Sequence, residues 1–289
     1  MRRGSGVLVV ATLLLISGCD TPASGPAPAE GELHFLTYNV HGLPPAITGD
    51  DTAARMLEIA PLLGAFDVVG LQENFDDTNH QVLEDASPHL TQRRFAELLN
   101  EEKVYGSGLA VFADLLEVDY LHEHYRDCNG YVDAASDCLA SKGFQALRLE
   151  LAPGATVDVY NSHLEAGGGA EDNAARHENV TQRIEAMNGW SAGHSVVFLG
   201  DTNLHKSDPD DLPELERWIE ETGLVDSCES VDCPDQNHID RLFVRPGNGV
   251  SWEVLSWANE SAFFGEEGTP LSDHPALSSR MRWEFVPTE

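Results

Sequence analysis

Lysine is nearly absent from this 289-residue chain, occurring only at Lys103, Lys142 and Lys206. Lys and Arg together number 17 against 49 Asp and Glu, a formal net charge of −32 at pH 7. That balance excludes a protein that grips nucleic acid through a broad basic surface, because phosphate neutralisation needs Lys and Arg. It does not exclude an acidic nuclease that focuses a few cations and a metal in one cleft. Long apolar runs are missing too. Only the segment near the N-terminus approaches a membrane span, so a polytopic membrane protein is ruled out. Cysteine is sparse, at five residues. What remains is globular in composition, 42% apolar and 8% aromatic. The length suits one or two domains with ample chain to bury a core.

The N-terminus reads as an address. Met1-Arg2-Arg3 is followed by the apolar run Val7–Ile16 and by the small residues Ser17-Gly18. This is signal-peptide architecture, too short for a comfortable transmembrane helix. Ile16-Ser17-Gly18-Cys19 resembles the bacterial lipobox, which predicts cleavage after residue 18 and lipidation of Cys19. Export to a bacterial membrane follows, on its periplasmic or cell-surface face. Losing residues 1–18 would remove Arg2 and Arg3 and no acid, leaving the mature chain still more negative. Residues 19–31 are rich in Pro, Ala and Gly without apolar periodicity, and predict a mobile tether. The domain proper is then 32–289.

Setting Cys19 aside leaves Cys128, Cys138, Cys228 and Cys233. An even count in an exported chain predicts two disulfides, and the local pairings Cys128–Cys138 and Cys228–Cys233 are favoured among three possibilities. A zinc site is disfavoured, since no His or further Cys sits at zinc-finger spacing around them.

Periodicity predicts one alternating α/β domain without internal repeats. Strands are expected at Leu33–Tyr38, Phe66–Leu71, Phe144–Leu151, Thr156–Asn161, Ser195–Leu199, Ile239–Val244, Val250–Leu255 and Ala276–Trp283. Helices are expected from the Asp51 cap to about Leu63, at Phe95–Leu99, at Asn173–Trp190 and at Pro213–Thr222. Such alternation favours layered α/β architecture.

Several apolar strands run into the same kinds of polar residue. Leu33–Tyr38 leads to Asn39, Val68–Leu71 to Gln72-Glu73, Val157–Tyr160 to Asn161-Ser162-His163, and Val196–Leu199 to Gly200-Asp201-Thr202-Asn203. Ile239 precedes Asp240, and Ser272-Asp273-His274 comes late. Strand ends are where α/β folds place ligands and catalytic groups. Taken singly, each of these residues is ordinary turn or ion-pair chemistry. Together they suit a hard divalent cation acting on a phosphate.

The series Thr37-Tyr38-Asn39, Leu71-Gln72-Glu73, Ser162-His163-Leu164, Gly200-Asp201-Thr202-Asn203, Ile239-Asp240 and Ser272-Asp273-His274 resembles the endonuclease/exonuclease/phosphatase superfamily, the DNase I-like fold. The resemblance implies a four-layer α/β sandwich of two packed sheets flanked by helices, with the site at one end. It also implies Mg²⁺-dependent phosphodiester or phosphate-ester hydrolysis. Carried over, Glu73 is the main metal ligand with Asn39 beside it, and His274 is the general base. Asp273 or Asp240 holds charge or orientation near it. Asp201 and Asn203 position water and phosphate, and His163 donates to phosphoryl oxygens or the leaving group. One or two Mg²⁺ ions are implied, a second lying near Asp201, Asn203 and His274.

Three features resemble the sphingomyelinase branch. Gly106-Ser107-Gly108-Leu109-Ala110-Val111 is similar to its segment before the central strands. Asp137-Cys138-Leu139-Ala140-Ser141-Lys142-Gly143-Phe144 resembles its loop motif, with Lys142 binding a phosphate oxygen or pairing with Asp137. Phe263-Phe264, about ten residues before His274, resembles a membrane-touching hairpin, although two core aromatics on a strand would read the same way. The expected partner is a phospholipid at a membrane surface, met by a monomer. An extracellular nuclease, or a surface lipoprotein with a non-catalytic binding role, are the alternatives. A zwitterionic choline lipid also suits so acidic a protein better than DNA does.

Overall fold

The computed structural model describes residues 26–130, 134–265 and 268–287. The expected signal peptide, Cys19 and the first part of the tether lie outside the described residues. The tether expectation is too long at its far end. Strand β1 already begins at Ala29 and runs to Asn39, because Ala29 pairs with Phe285 of β12 (Leu277–Phe285).

Two six-stranded sheets pack face to face. One has the order β11 (Val250–Asn259), β12, β1, β2 (Val68–Gln72), β4 (Leu109–Ala113), β3 (Thr91–Phe95). The other runs β5 (Leu116–His124), β6 (Gly143–Ala152), β7 (Ala155–His163), β8 (Ser195–Asp201), β10 (Asp240–Arg245), β9 (Val225–Asp226). Alternation along each strand divides its side chains between two cores. Phe35, Val68, Val111, Leu147, Val157 and Val197 meet between the sheets. Leu36, Val69 and Phe112 point the other way, onto Met56 and Ile59 of α2 (Thr52–Ile59) and Leu83 of α3 (Asp77–Ala86). On the opposite outer face Tyr160, Phe198 and Phe243 cover Val180, Ile184 and Met187 of α4 (Ala170–Gly189) and Leu215 and Trp218 of α5 (Leu212–Thr222). The result is the helix–sheet–sheet–helix sandwich that was expected.

Local signals account for most boundaries. Asp51 caps α2 by accepting from the Ala54 N–H, but the helix tightens to a 3₁₀ turn at Ala60–Ala65, where Pro61 enters. Ala155 follows a Pro153-Gly154 turn, with Gly154 at φ 86°, so β6 and β7 form the expected hairpin. The expected helix at Phe95–Leu99 is absent. Phe95 closes β3, drawn into the sheet by pairing with Leu109, and Leu98 and Leu99 are exposed. Both expected disulfides are present, with Cα–Cα separations of 5.3 Å for Cys128–Cys138 and 5.0 Å for Cys228–Cys233.

Strand register decides which polar residues meet. Parallel pairing sets Asn39 beside Gln72 and His163 beside Asp201, and antiparallel pairing sets Asp240 opposite Asp201. Three polar strand ends of one sheet and two of the other therefore finish at the same edge of the sandwich. A buried amide clamp joins the sheets there. Asn161 donates to the carbonyls of Leu71 and Ala110, and Gln72 donates to Asn161 Oδ1 at 2.7 Å.

Candidate active site

Glu73 follows the last residue of β2 in a left-handed conformation, φ 55°, which a non-glycine residue adopts only when its surroundings hold it. The holding contacts are backbone ones, Val40 N–H to Gln72 O and Gly42 N–H to Glu73 O, both 3.0 Å. Gly42 is required here, since a Cβ would stand 2.3 Å from the Glu73 carbonyl oxygen. The turn aims the carboxylate at the end of the sandwich. Asn39 Nδ2 donates to Glu73 Oε1 at 2.9 Å and, across the sheet interface, to Asp201 Oδ2 at 3.1 Å. Its Oδ1 takes the His41 N–H, so Asn39 presents its amide nitrogen to the two carboxylates.

Asp240 Oδ2 bonds His274 Nδ1 at 2.8 Å, and His274 Nε2 lies 3.8 Å from Asp201. Asp240, Asp201 and His274 bring their ligand atoms within 4.8 Å of one another. Asn203, also left-handed at φ 47°, donates its N–H to Asp201 Oδ1 and its amide to Leu164 O. His163 Nε2 sits 3.4 Å from Asp201 and 3.1 Å from Lys142 Nζ. Lys142 in turn is held by Asp137 Oδ1 at 2.6 Å and Leu164 O at 2.9 Å. An ammonium has three protons, and these three partners use them all. Lys142 thus fixes His163, and Asp137 anchors Lys142 while accepting from the Ala166 N–H. Glu73, Asp137, Lys142, His163, Asp201, Asn203 and His274 line one cleft of about 340 Å³, walled by Phe75, Tyr105 and Leu139.

Electrostatics divide the groups. Burial by itself would raise the Glu73 carboxyl, but the His41 and His163 rings and the Asn39 amide outweigh it and hold the group at about 2. Asp201 is likewise lowered against its burial, by His163 and His274. Asp240, buried and facing Asp201, is pushed up to about 6. Burial lowers His274, yet Asp240, Asp201 and Asp273 together lift it to about 10. Burial and the Lys142 charge lower His163, which favours the neutral ring. Among the described residues, Glu73 Oε2 and Asp240 Oδ1 are buried acceptors without a hydrogen-bond partner. Two unsatisfied hard oxygens beside an Asp–Asp–His cluster are a donor set that fits a divalent cation.

Of the two carboxylates expected near His274, Asp240 holds its orientation through Nδ1, while Asp273, largely exposed and paired with His41 Nδ1 at 3.3 Å, adds only charge. Phe263 does not stand out on a membrane-touching hairpin: it is 3% exposed and packs edge-on to Tyr38 with ring centroids 4.8 Å apart, the core placement that was the other expectation. Phe264 is exposed beside Pro270 and does not line the cleft of Glu73. His41 escaped the sequence reading, although Asn39-Val40-His41-Gly42 placed a histidine two residues past a strand end. Phe75 and Tyr105 escaped it because neither belongs to a polar strand end.

A four-layer sandwich with oxygen donors, a carboxylate-held histidine and a buried Lys–His pair at one end defines a phosphoester-processing class of site. Residues 36–274 match the model of the Endonuclease/Exonuclease/phosphatase family. The chain belongs to that family. It is 30% identical over 93% of its length to a sphingomyelinase of Mycobacterium tuberculosis, covering 56% of that protein. The chain thus spans about half the length of that relative. Sphingomyelinase C from Streptomyces griseocarneus shares the fold, with a TM-score of 0.65 and 19% identity over 86% of this chain and 99% of that one. So does a Staphylococcus aureus beta toxin variant with bound magnesium ions, at TM-score 0.65 and 16% identity over 86% of this chain and 99% of that one.

Proposed function

We propose that this chain is an exported, lipid-anchored, Mg²⁺-dependent phosphodiesterase that hydrolyses sphingomyelin or a similar choline phospholipid, releasing phosphocholine. The observation that carries the reading is the convergence of Glu73, Asp201, Asp240, His163 and His274 on one cleft, in a chain similar over most of its length to a sphingomyelinase. Glu73, with its unsatisfied Oε2, would hold the cation, and Asn39 would keep the Glu73 and Asp201 carboxylates in register. Bound Mg²⁺ supplies positive charge that offsets the clustered carboxylates and the charge growing on the phosphoryl oxygens.

The protein's own groups divide the remaining work. Asp240 fixes His274 through Nδ1, leaving Nε2 to take a proton from the attacking water. The carboxylates that lift His274 to about 10 make that ring too basic by themselves; with a cation held by them, it would fall toward the range a general base needs. Asn203 and Asp201 orient water and phosphate. His163, fixed by Lys142, would donate to the phosphoryl oxygens or to the leaving oxygen. A zwitterionic head group meets less repulsion than a polyanion from a chain of charge −32.

The test is phosphocholine release from sphingomyelin vesicles and nicking of plasmid DNA, run side by side with Mg²⁺ and with EDTA. Expected is Mg²⁺-dependent phosphocholine release that falls by about 10³-fold or more in His274→Ala, in keeping with loss of a general base and its positioning. Nicking without lipid hydrolysis would keep the site and overturn the substrate.

A further inference from the structure

One loop of this molecule is inside out. Residues 96–104, between β3 and the cleft wall at Tyr105, expose Leu98 (49%), Leu99 (45%) and Val104 (58%). The single cation of the loop points inward instead. Lys103 is buried, with Nζ donating to Cys138 O at 2.9 Å. Water favours the opposite arrangement, since lysine is among the residues least often buried and leucine among the most. The loop is also firmly seated. Leu99 N–H donates to Ser141 Oγ at 2.9 Å, Val104 N–H to Leu139 O at 2.8 Å, and Ser141 N–H to Tyr105 O at 2.9 Å. Its apolar side chains therefore stand on a scaffold tied to the Lys142 segment, rather than on a loose end that could fold them away.

The loop borders the catalytic cleft. Leu98 and Val104 line an outer groove that shares Phe75 and Tyr105 with the cleft as a common wall. Ile47 lines the cleft itself, from the turn α1 (Pro45–Thr48), which buries none of its residues and leaves Ile47 58% exposed. Exposed apolar side chains thus stand on two segments, one lining the cleft and one lining the groove next to it. Exposed acidic residues accompany both segments: Glu97, Glu101 and Glu102 in the loop, and Asp51 beside α1, where Asp50 is paired with Arg55 at 3.0 Å.

We infer that Leu98, Leu99 and Val104, together with Ile47, are the lips by which this protein docks the cleft onto a zwitterionic lipid surface. Apolar lips suit the boundary between head groups and acyl chains. The acidic neighbours select the occupant: they would be repelled by an anionic bilayer, whereas the outward ammonium of a choline head group complements them. The inference rests on the phospholipid reading of the cleft and adds the surface that meets the membrane. It assigns that surface to the 96–104 loop and the α1 turn, away from the Phe263-Phe264 segment, where one ring is buried in the core.

The test is segment-resolved hydrogen exchange of the full chain with EDTA present, against phosphatidylcholine vesicles and against phosphatidylglycerol vesicles. Reading each segment separately makes the result independent of any lipid on Cys19 and of turnover. Expected is slowed exchange in 43–49 and 96–105 with phosphatidylcholine and little change with phosphatidylglycerol. The double substitution Leu98→Glu/Leu99→Glu, checked for a native circular dichroism spectrum, is expected to abolish that protection and to weaken binding at least about tenfold, the scale of two partly exposed leucines. Unchanged exchange in these segments, protection confined to 260–272, or equal protection on the anionic vesicles would each overturn the inference. Protection of the two lips in a protein that hydrolyses no sphingomyelin would overturn the substrate and leave the docking surface standing.

Discussion

Glu165 shows how a residue outside the strand-end motifs shapes this protein. It is 1% exposed and accepts from the Asn129 N–H at 2.5 Å. Burial, then the neighbouring Asp137 charge, push its carboxyl from an ordinary 4.5 up to about 7. An acid that keeps its proton longer in the folded state costs stability once the unfolded chain has ionised. The cost begins above about pH 4.5, grows to about pH 7 and is constant beyond. Glu165→Gln is therefore expected to stabilise the protein at pH 8 by up to ~3 kcal/mol, with the gain fading toward pH 4.5. Urea unfolding at pH 5 and pH 8 checks this, and an equal gain at both would contradict it. Arg183 is the second case. Its three guanidinium nitrogens are buried without a hydrogen-bond partner among the described residues, and the group stacks 3.7 Å above the Trp218 ring. Cation–π attraction offers about 2 kcal/mol against a desolvation cost of several. Arg183→Met should raise the melting temperature; a marked fall in calorimetry would show that the charge is compensated. Neither residue was legible in the sequence, because an Arg or Glu on a helix or after a strand usually faces water.

At the scale of elements, the readable parts were those with abrupt chemistry. Apolar runs leading into Asn39, Glu73 and Asp201, and the run that opens at Asp240, mark β1, β2, β8 and β10, whose C-terminal ends lie within a residue or two of the expected positions, although β1 starts four residues early. Helix α3 went unseen because only Asn79, His80 and Leu83 are buried, too few for an apolar stripe. Strand β5 went unseen because it is an edge strand, none of whose residues is fully buried. The two disulfides also differ in what they hold. Cys138 adjoins Asp137, and its carbonyl receives Lys103, so the Cys128–Cys138 loop supports the Asp137–Lys142–His163 chain. Cys228–Cys233 closes the turn around α6 (Ser227–Ser230), which contributes nothing to the cleft lining. Replacing either pair by Ser should cost roughly 2–4 kcal/mol of stability. Only the first replacement is expected to lower turnover as well, by about tenfold or more through loss of positioning at His163. Parallel assays of both double variants decide this, and equal turnover losses would place the effect in stability alone.

For the whole molecule the governing quantity is charge. At −32 the chain repels itself, and screening should relieve it. Between 0.01 M and 1 M salt the Debye length falls from about 30 Å to about 3 Å. The melting temperature is expected to rise as monovalent salt is added from low concentration; a flat or falling profile would show that self-repulsion does not govern stability. Composition, charge and the polar strand ends are local properties, and the sequence by itself determined them; the cysteine pairings it only favoured, and the fold closed them. Backbone pairing and sheet packing are non-local, and only the tertiary structure decided what they bring together. Asn39 reaches Asp201 across 162 positions, Asp240 rather than Asp273 receives His274, and Phe263 enters the core while Leu98 and Leu99 face outward. A residue's type limits the bonds it can make, but the register of β1, β8 and β10 sets which partner stands within reach, and the packing of the two sheets sets which side chains water can still touch.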